Sequence, residues 1–316
     1  MTDLVSHFLP SLIVSRGDGA TRRFLEFFTA HIRNRNTRAA YTQAVGQFLV
    51  WAEGRGVTEL SQIEPMVVAA YIEGLSKERS VLTVKQHLAG IRALFDFLVV
   101  GQVVPVNPAA SVRGPSYTSE RGKTPVLSRE DARSLLQSID TASVVGLRDR
   151  AFIGLMIYSF ARVSAVVNCR VEDYYQAAKK RWHIRLHEKG GRFHEVPVHH
   201  TAQEYLDSYI EAAGIADDRK GALFRSAPGR GTVLSERPLH RADALTLVKR
   251  RAERAGLNPD VCNHSFRATG ITAYLESGGT IEKAQQIAGH RSPRTTKLYD
   301  RTNDAISLDE IERIVL

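Results

Sequence analysis

The first third of the chain alternates apolar and polar residues with a helical period. Tyr41, Val45, Phe48, Leu49 and Ala52 fall on one face of a segment that Asn36 can cap and Gly54 can end. Ser61-Gln62-Ile63-Glu64 has the form of a capping box before a helix running to about Glu78. After Ser80, Val84, Leu88, Ile91, Leu94, Phe95 and Leu98 recur at helical spacing. The pattern from Ala20 to Gly101 predicts a small all-helical domain of about four helices, preceded by a loose lead-in over residues 1–18.

The apolar period stops at Val104. Pro105, Pro108, Gly114, Pro115 and Gly122 break the chain, and Arg113, Arg121 and Lys123 add charge, which is a linker composition. A second periodic half begins at Ser128-Arg129-Glu130-Asp131, another cap-like start, followed by Ala132, Leu135, Leu136 and Ile139. A strongly apolar helix is expected from about Gly146 to Phe160. The period then becomes two: Trp182, Ile184 and Leu186 alternate with Arg181, His183, Arg185 and His187. Lys189-Gly190-Gly191-Arg192 makes the turn of a β-hairpin, and Val196 and Val198 return on its second strand. Helices are expected again at about His264–Glu276, Ile281–Ala288, Pro293–Tyr299 and from Leu308 to the end. The expected organisation is a lead-in at 1–18, a helical domain at 19–113, a linker at 114–125 and an α+β domain at 126–316. The fold class is mainly α with a small β-hairpin or sheet.

A length of 316 residues fits two such domains better than one core. The formal net charge of +9 permits a polyanionic partner without requiring one. Two cysteines, Cys169 and Cys262, make neither a disulfide framework nor a Cys-rich zinc site, and a reducing compartment is expected. The longest apolar run, Leu94 to Val106, is interrupted by Asp96, Gly101, Gln102 and Pro105, so no membrane span is expected. Asp3 and His7 stand where a signal peptide carries its basic residues, and a cytoplasmic protein is expected.

No nucleotide-binding loop, zinc-protease motif or serine-nucleophile elbow occurs. Instead the second half carries a scattered set of cations and imidazoles that ends in a tyrosine. Arg162 ends the apolar helix, Lys189 sits at the hairpin tip, and His264 and Arg267 lie three apart on one helix. His290 follows Gly289, and Tyr299 follows Lys297-Leu298. Singly, each has an ordinary structural reading as an ion-pair partner, a turn residue or a core tyrosine. Jointly, two guanidiniums can hold the oxygens of a phosphodiester, imidazoles can move protons, a lysine can protonate a leaving oxygen, and a tyrosine can form a covalent adduct.

In this order, with His264-Ser265-Phe266-Arg267, Gly289-His290 and Thr295-Thr296-Lys297-Leu298-Tyr299, the second half resembles the catalytic domain of tyrosine recombinases, the phage-integrase family. The first half resembles that family's four-helix core-binding domain, so the resemblance runs from about Thr21 to the C-terminus. It implies site-specific DNA cleavage and rejoining through a 3′-phosphotyrosyl intermediate, with no metal and no cofactor. Tyr299 is then the nucleophile, Arg162 and Arg267 bind the phosphate, and Lys189 protonates the 5′-oxygen. His264 assists proton transfer at the tyrosine, and His290 hydrogen-bonds the phosphate. The implied partner is double-stranded DNA, gripped by four protomers around two duplexes, with accessory DNA-bending proteins or sister recombinases left open, and the protein is nucleoid-associated when bound. The C-terminal helix, with Leu308, Ile311, Ile314 and Val315, is a candidate for docking on a neighbouring protomer. Arg33, Arg35, Arg38, Lys85, Arg92 and Arg241 are the candidate DNA contacts. One departure stands out. The family's acidic residue three positions after the first arginine is Ala165 here, and Glu172 and Asp173 lie at other spacings. That departure fits another reading, a DNA-binding homologue with weakened or lost catalysis, and the shared chemistry leaves a third, a type IB topoisomerase-like relaxing enzyme.

Overall fold

The computed structural model describes residues 10–117, 122, 124–177, 180–188, 191–229, 231–300 and 312. The chain divides into two compact units, Met1–Thr118 and Ser119–Leu316.

The first unit is helical: α1 (Ser11–Val14), α2 (Asp18–Glu26), α3 (Arg35–Glu53), α4 (Pro65–Glu78) and α5 (Val81–Val100). The expected loose lead-in is corrected over residues 10–18. Leu12 and Ile13 are buried in the unit's core, and Glu53 takes hydrogen bonds from Ser11 Oγ at 2.7 Å and the Leu12 N–H at 3.0 Å. The α3 cap is Asn34 rather than Asn36, its Oδ1 accepting from the N–H groups of Asn36 and Thr37. The capping box lies at Glu59 and Gln62 and closes only a short turn, Leu60–Gln62. The α4 helix starts at Pro65, whose missing N–H is no loss in a first turn. Ser80 caps α5 as expected, and Val84, Leu88, Ile91, Leu94, Phe95 and Leu98 are all buried.

The second unit contains α6 (Arg129–Gln137), α7 (Val144–Ser159), α8 (Val163–Val167) and an antiparallel sheet, followed by five more helices. The strands are β1 (Tyr174–Gln176), β2 (Trp182–Glu188) and β3 (Arg192–Pro197), in the order β1-β2-β3. Ile184 pairs with Val196, and these two and Leu186 turn their side chains into the core. The helices are α9 (His200–Ala213), α10 (Arg241–Arg254), α11 (Asn263–Glu276), α12 (Ile281–Ala288) and α13 (Pro293–Lys297). The strand β1 and helices α9 and α10 were not expected from the apolar pattern. Their inward residues are sparse: Ala202, Leu206 and Tyr209 on α9, and Ala244, Leu247, Val248 and Ala252 on α10. The expected C-terminal helix from Leu308 lies outside the described residues. No helix among the described residues is long and apolar enough to cross a membrane.

The apolar α7 is the axis of this unit, packed by α9 and α11. At its start Arg148 and Asp149 are buried, and Asp149 gathers three arginines. Its Oδ1 accepts from Arg148, and its Oδ2 accepts from Arg250 at 3.2 Å and from Arg251 at 2.9 and 2.7 Å. At its end, Gly270 of α11 lies so close that a Cβ there would overlap the Ile157 carbonyl oxygen and the Phe160 ring. Gly270→Ala is therefore expected to destabilise the protein by about 2–3 kcal/mol, measured by urea unfolding, with the midpoint falling and the slope unchanged.

Candidate active site

Phe160 follows α7 with φ +54°, a left-handed conformation rare for a bulky side chain. It turns the chain so that Arg162 stands at the head of α8, with its side chain 38% exposed. Arg267 comes from the middle of α11 and is 1% exposed. Its Nη1 donates to the Phe160 carbonyl and its Nη2 to the Ala288 carbonyl at 2.6 Å, which ties the end of α7 to the end of α12. Its Nε has no hydrogen-bond partner among the described residues. A buried cationic N–H left open is costly, and it is a ready donor for an anion.

His264 lies on α11 one turn before Arg267. Gly289 ends α12 with φ +58°, and the chain returns with the His290 N–H bonded to the Gln285 carbonyl at 3.1 Å. His290 Nδ1 is 3.0 Å from Thr296 Oγ1, and its ring stacks on Tyr299 with centroids 5.9 Å apart. Tyr299 sits two residues beyond α13, which ends at Lys297 rather than at the tyrosine. Thr272 Oγ1 donates to the Tyr299 carbonyl at 3.1 Å and fixes its backbone. The phenol is buried, 7% exposed, with its hydroxyl 2.8 Å from His264 Nε2.

Arg162, His264, Arg267, His290 and Tyr299 thus meet in one place, although they come from four separate stretches of chain. Lys189 lies outside the described residues. Glu188, directly before it, reaches the site, with its Oε2 2.5 Å from Arg162 Nη1. Neither Glu172 nor Asp173 takes this role: Glu172 lies 3.6 Å from Arg170, and Asp173 accepts from the Arg170 N–H and pairs with His187. Glu188, Thr272 and Thr296 were missed in the sequence. Glu188 had a signal there, since it continues the inward alternation of Trp182, Ile184 and Leu186.

Burial and the two guanidiniums set the protonation states. His264 is pushed below its ordinary value by burial, then by Arg267 and Arg162. His290 is lowered to about 3 by burial, Arg267, Arg162 and His264. Arg267 itself falls to about 10 through burial and Arg162. Burial raises Tyr299 against the opposing pull of both arginines. At neutral pH the imidazoles are neutral, so His264 Nε2 can accept the phenolic proton.

Stability follows from the same shifts. Below pH 6.5 the unfolded chain protonates His290 while the folded chain resists down to about pH 3. The unfolded state then holds more protons, and stability falls as pH drops. Between pH 6.5 and 5 this costs about 2 kcal/mol, with His264 adding in the same direction. Thermal melting from pH 7.5 to 5 is expected to show the loss, and His290→Asn is expected to flatten the curve.

The chain and its fold are similar to those of known proteins. Residues 125–305 match the phage integrase family, and residues 22–101 match the N-terminal SAM-like domain of phage integrases. The chain belongs to the phage integrase family. The chain is 28% identical over 289 residues to tyrosine recombinase XerD of Corynebacterium glutamicum, covering 88% of this chain and 91% of the relative. Its fold is similar to that of the XerH site-specific recombinase in a pre-cleavage complex with difH, with a TM-score of 0.68 at 16% identity and 96% of each chain covered. It is also similar to lambda integrase in a tetramer bound to a Holliday junction, with a TM-score of 0.68 at 17% identity, covering 91% of this chain and 79% of that one.

The integrase's candidate DNA contacts fall into two sets. Arg33, Arg35, Lys85 and Arg241 are exposed. Arg38 and Arg92 are half-buried and engaged with backbone. Arg38 donates twice to the Ile32 carbonyl, at 3.1 and 2.9 Å. Arg92 donates to the Ala109 carbonyl at 3.0 Å and to the Val112 carbonyl, holding residues 107–112 against α5.

Proposed function

We propose that this integrase carries out site-specific recombination by cutting and rejoining DNA strands through Tyr299. The observation that carries the reading is the Tyr299 hydroxyl 2.8 Å from a neutral imidazole, beside two guanidiniums of which one keeps a buried N–H with no partner among the described residues. In the cleavage step the Tyr299 oxygen attacks the scissile phosphorus and its proton passes to His264 Nε2. The bond from phosphorus to the 5′-oxygen breaks, and a 3′-phosphotyrosyl bond forms. Lys189 protonates the departing 5′-oxygen. Arg162 and Arg267 take up the charge that builds on the non-bridging oxygens, and His290 donates a hydrogen bond to them. Attack by the 5′-hydroxyl of a partner strand reverses these steps, and the energy stored in the covalent bond removes any need for a nucleotide cofactor.

In this reading residues 19–113 form a DNA clamp, residues 114–125 a linker and residues 126–316 the catalytic domain. Arg33, Arg35, Lys85 and Arg241 contact phosphates, and binding falls steeply with salt. Four copies assemble around two duplexes, and the protein stays with the nucleoid when DNA-bound. The tetrameric lambda integrase of similar fold supports that assembly.

A nicked suicide duplex carrying the cognate site tests the chemistry. An SDS-resistant adduct at the 3′ side is expected. A duplex-bound protein that never forms the adduct points instead to binding without catalysis. A two-site assay then requires exchanged strands, since relaxation without exchange is the behaviour of a topoisomerase.

A further inference from the structure

Two guanidiniums and two imidazoles converge on the candidate site, where Arg162 and Arg267 lower both imidazoles and Arg162 lowers Arg267. Glu188 brings a carboxylate to the two guanidiniums. Its side chain is 12% exposed and its Oε2 touches Arg162 Nη1. It also favours the charged form of Arg267. The turn of helix after Arg162 offers no acid, because Ala165 is a fully buried methyl group. Arg162 is the more exposed of the two guanidiniums, and a free arginine side chain carries about 2 kcal/mol of rotamer entropy. One ionic hydrogen bond engages one of its five donors and leaves the others for a ligand.

Glu188 also ends β2, at the root of the hairpin turn, where it pairs with Arg192 of β3. The other strand is anchored separately. His194 Nε2 lies 2.8 Å from the Ile287 carbonyl oxygen, and its ring rests against Gly289, next to His290. The hairpin is thus seated on the site at two points, β2 on Arg162 and β3 on the turn that carries His290.

We propose that Glu188 is a positioning residue that holds the Arg162 guanidinium and the hairpin root in the geometry needed to grip a phosphate, and that it supplies from a strand the hydrogen-bond acceptor absent at Ala165. The proposal rests on the recombination reading for its substrate. The rival role for the same contact is a plug, with the carboxylate occupying Arg162 until DNA displaces it.

The two roles predict opposite results. Single-turnover cleavage of the suicide duplex at saturating DNA is expected to slow about 30-fold in Glu188→Ala, with the DNA Kd within about threefold, because a small misplacement of a clamp affects rate more than binding. Glu188→Gln keeps an acceptor oxygen at the same reach and is expected to recover most of the loss. In an Arg162→Lys background, Glu188→Ala is expected to cost less than about threefold more, because coupled residues are not additive. Orthovanadate reads the clamp without any cleavage. Half of its stabilising effect on the melting temperature is expected at about tenfold higher concentration in Glu188→Ala than in wild type, although loss of a negative charge alone favours anion binding. Cleavage at or above the wild-type rate, tighter vanadate binding, full additivity with Arg162→Lys, or a Gln variant no faster than the Ala variant overturns the proposal. If the wild type forms no adduct, the recombination reading fails, while the vanadate comparison still decides the role of Glu188.

Discussion

Tyr299→Phe is expected to abolish the covalent protein–DNA adduct, lowering single-turnover cleavage by at least about 10⁴-fold. The substitution removes one oxygen. The ring stays in its place, stacked on His290 and buried with Phe160, Ala268, Ile271 and Leu275. The bond from Thr272 Oγ1 to the residue-299 carbonyl is also kept. What is lost is the contact with His264 Nε2, worth about 1 kcal/mol of stability. The variant is therefore expected to melt within a few degrees of wild type and to bind the duplex as well. An adduct of undiminished yield in this variant means that another residue is the nucleophile.

Asp149→Ala is expected to be the most damaging single change to stability, at about 4 kcal/mol. The carboxylate is 0% exposed and is the common acceptor for Arg148, Arg250 and Arg251. Removing it leaves Arg148 and Arg251 charged and buried without their counter-ion, and that desolvation cost outweighs the lost attraction. Differential scanning fluorimetry is expected to show a fall of roughly 10 °C. Glu26→Ala is the control. It breaks the exposed pairs with Arg22 and Arg23, and it is expected to cost less than about 0.5 kcal/mol.

The contrast between strong and weak apolar periodicity explains which parts of the fold were legible. The α5 segment announces itself because core-facing residues recur every turn, α7 because it is apolar and buried without a break from Ala151 to Ile157, and the β2–β3 hairpin because its alternation is strict. The helices α9 and α10 bury only a narrow stripe, and arginines such as Arg251 are buried through Asp149, which no periodicity can signal. Cap positions slipped by one or two residues where several polar side chains compete, as Asn34 and Asn36 do before α3.

The candidate site was legible as a set of residue types in order, and less so as a geometry. Arg162, His264, Arg267, His290 and Tyr299 were all named from the sequence. The pairing of Arg162 with Glu188 was not, because it joins a helix head to a strand end across 26 positions. Likewise, Arg38 and Arg92 read as surface cations in the sequence. Their stems are half-buried and their guanidiniums are spent on carbonyls 6, 17 and 20 positions away along the chain, outside any helical period.

Tyr299 is docked against His264 of its own chain, within the same compact unit. In the proposed reaction each copy therefore carries nucleophile and proton acceptor together, and no neighbour has to lend its tyrosine. In genetic terms, two defective alleles, one lacking Tyr299 and one lacking Arg267, are then expected not to complement each other. Mixed with wild type, either allele is expected to leave its own strand uncut and to behave as a dominant-negative.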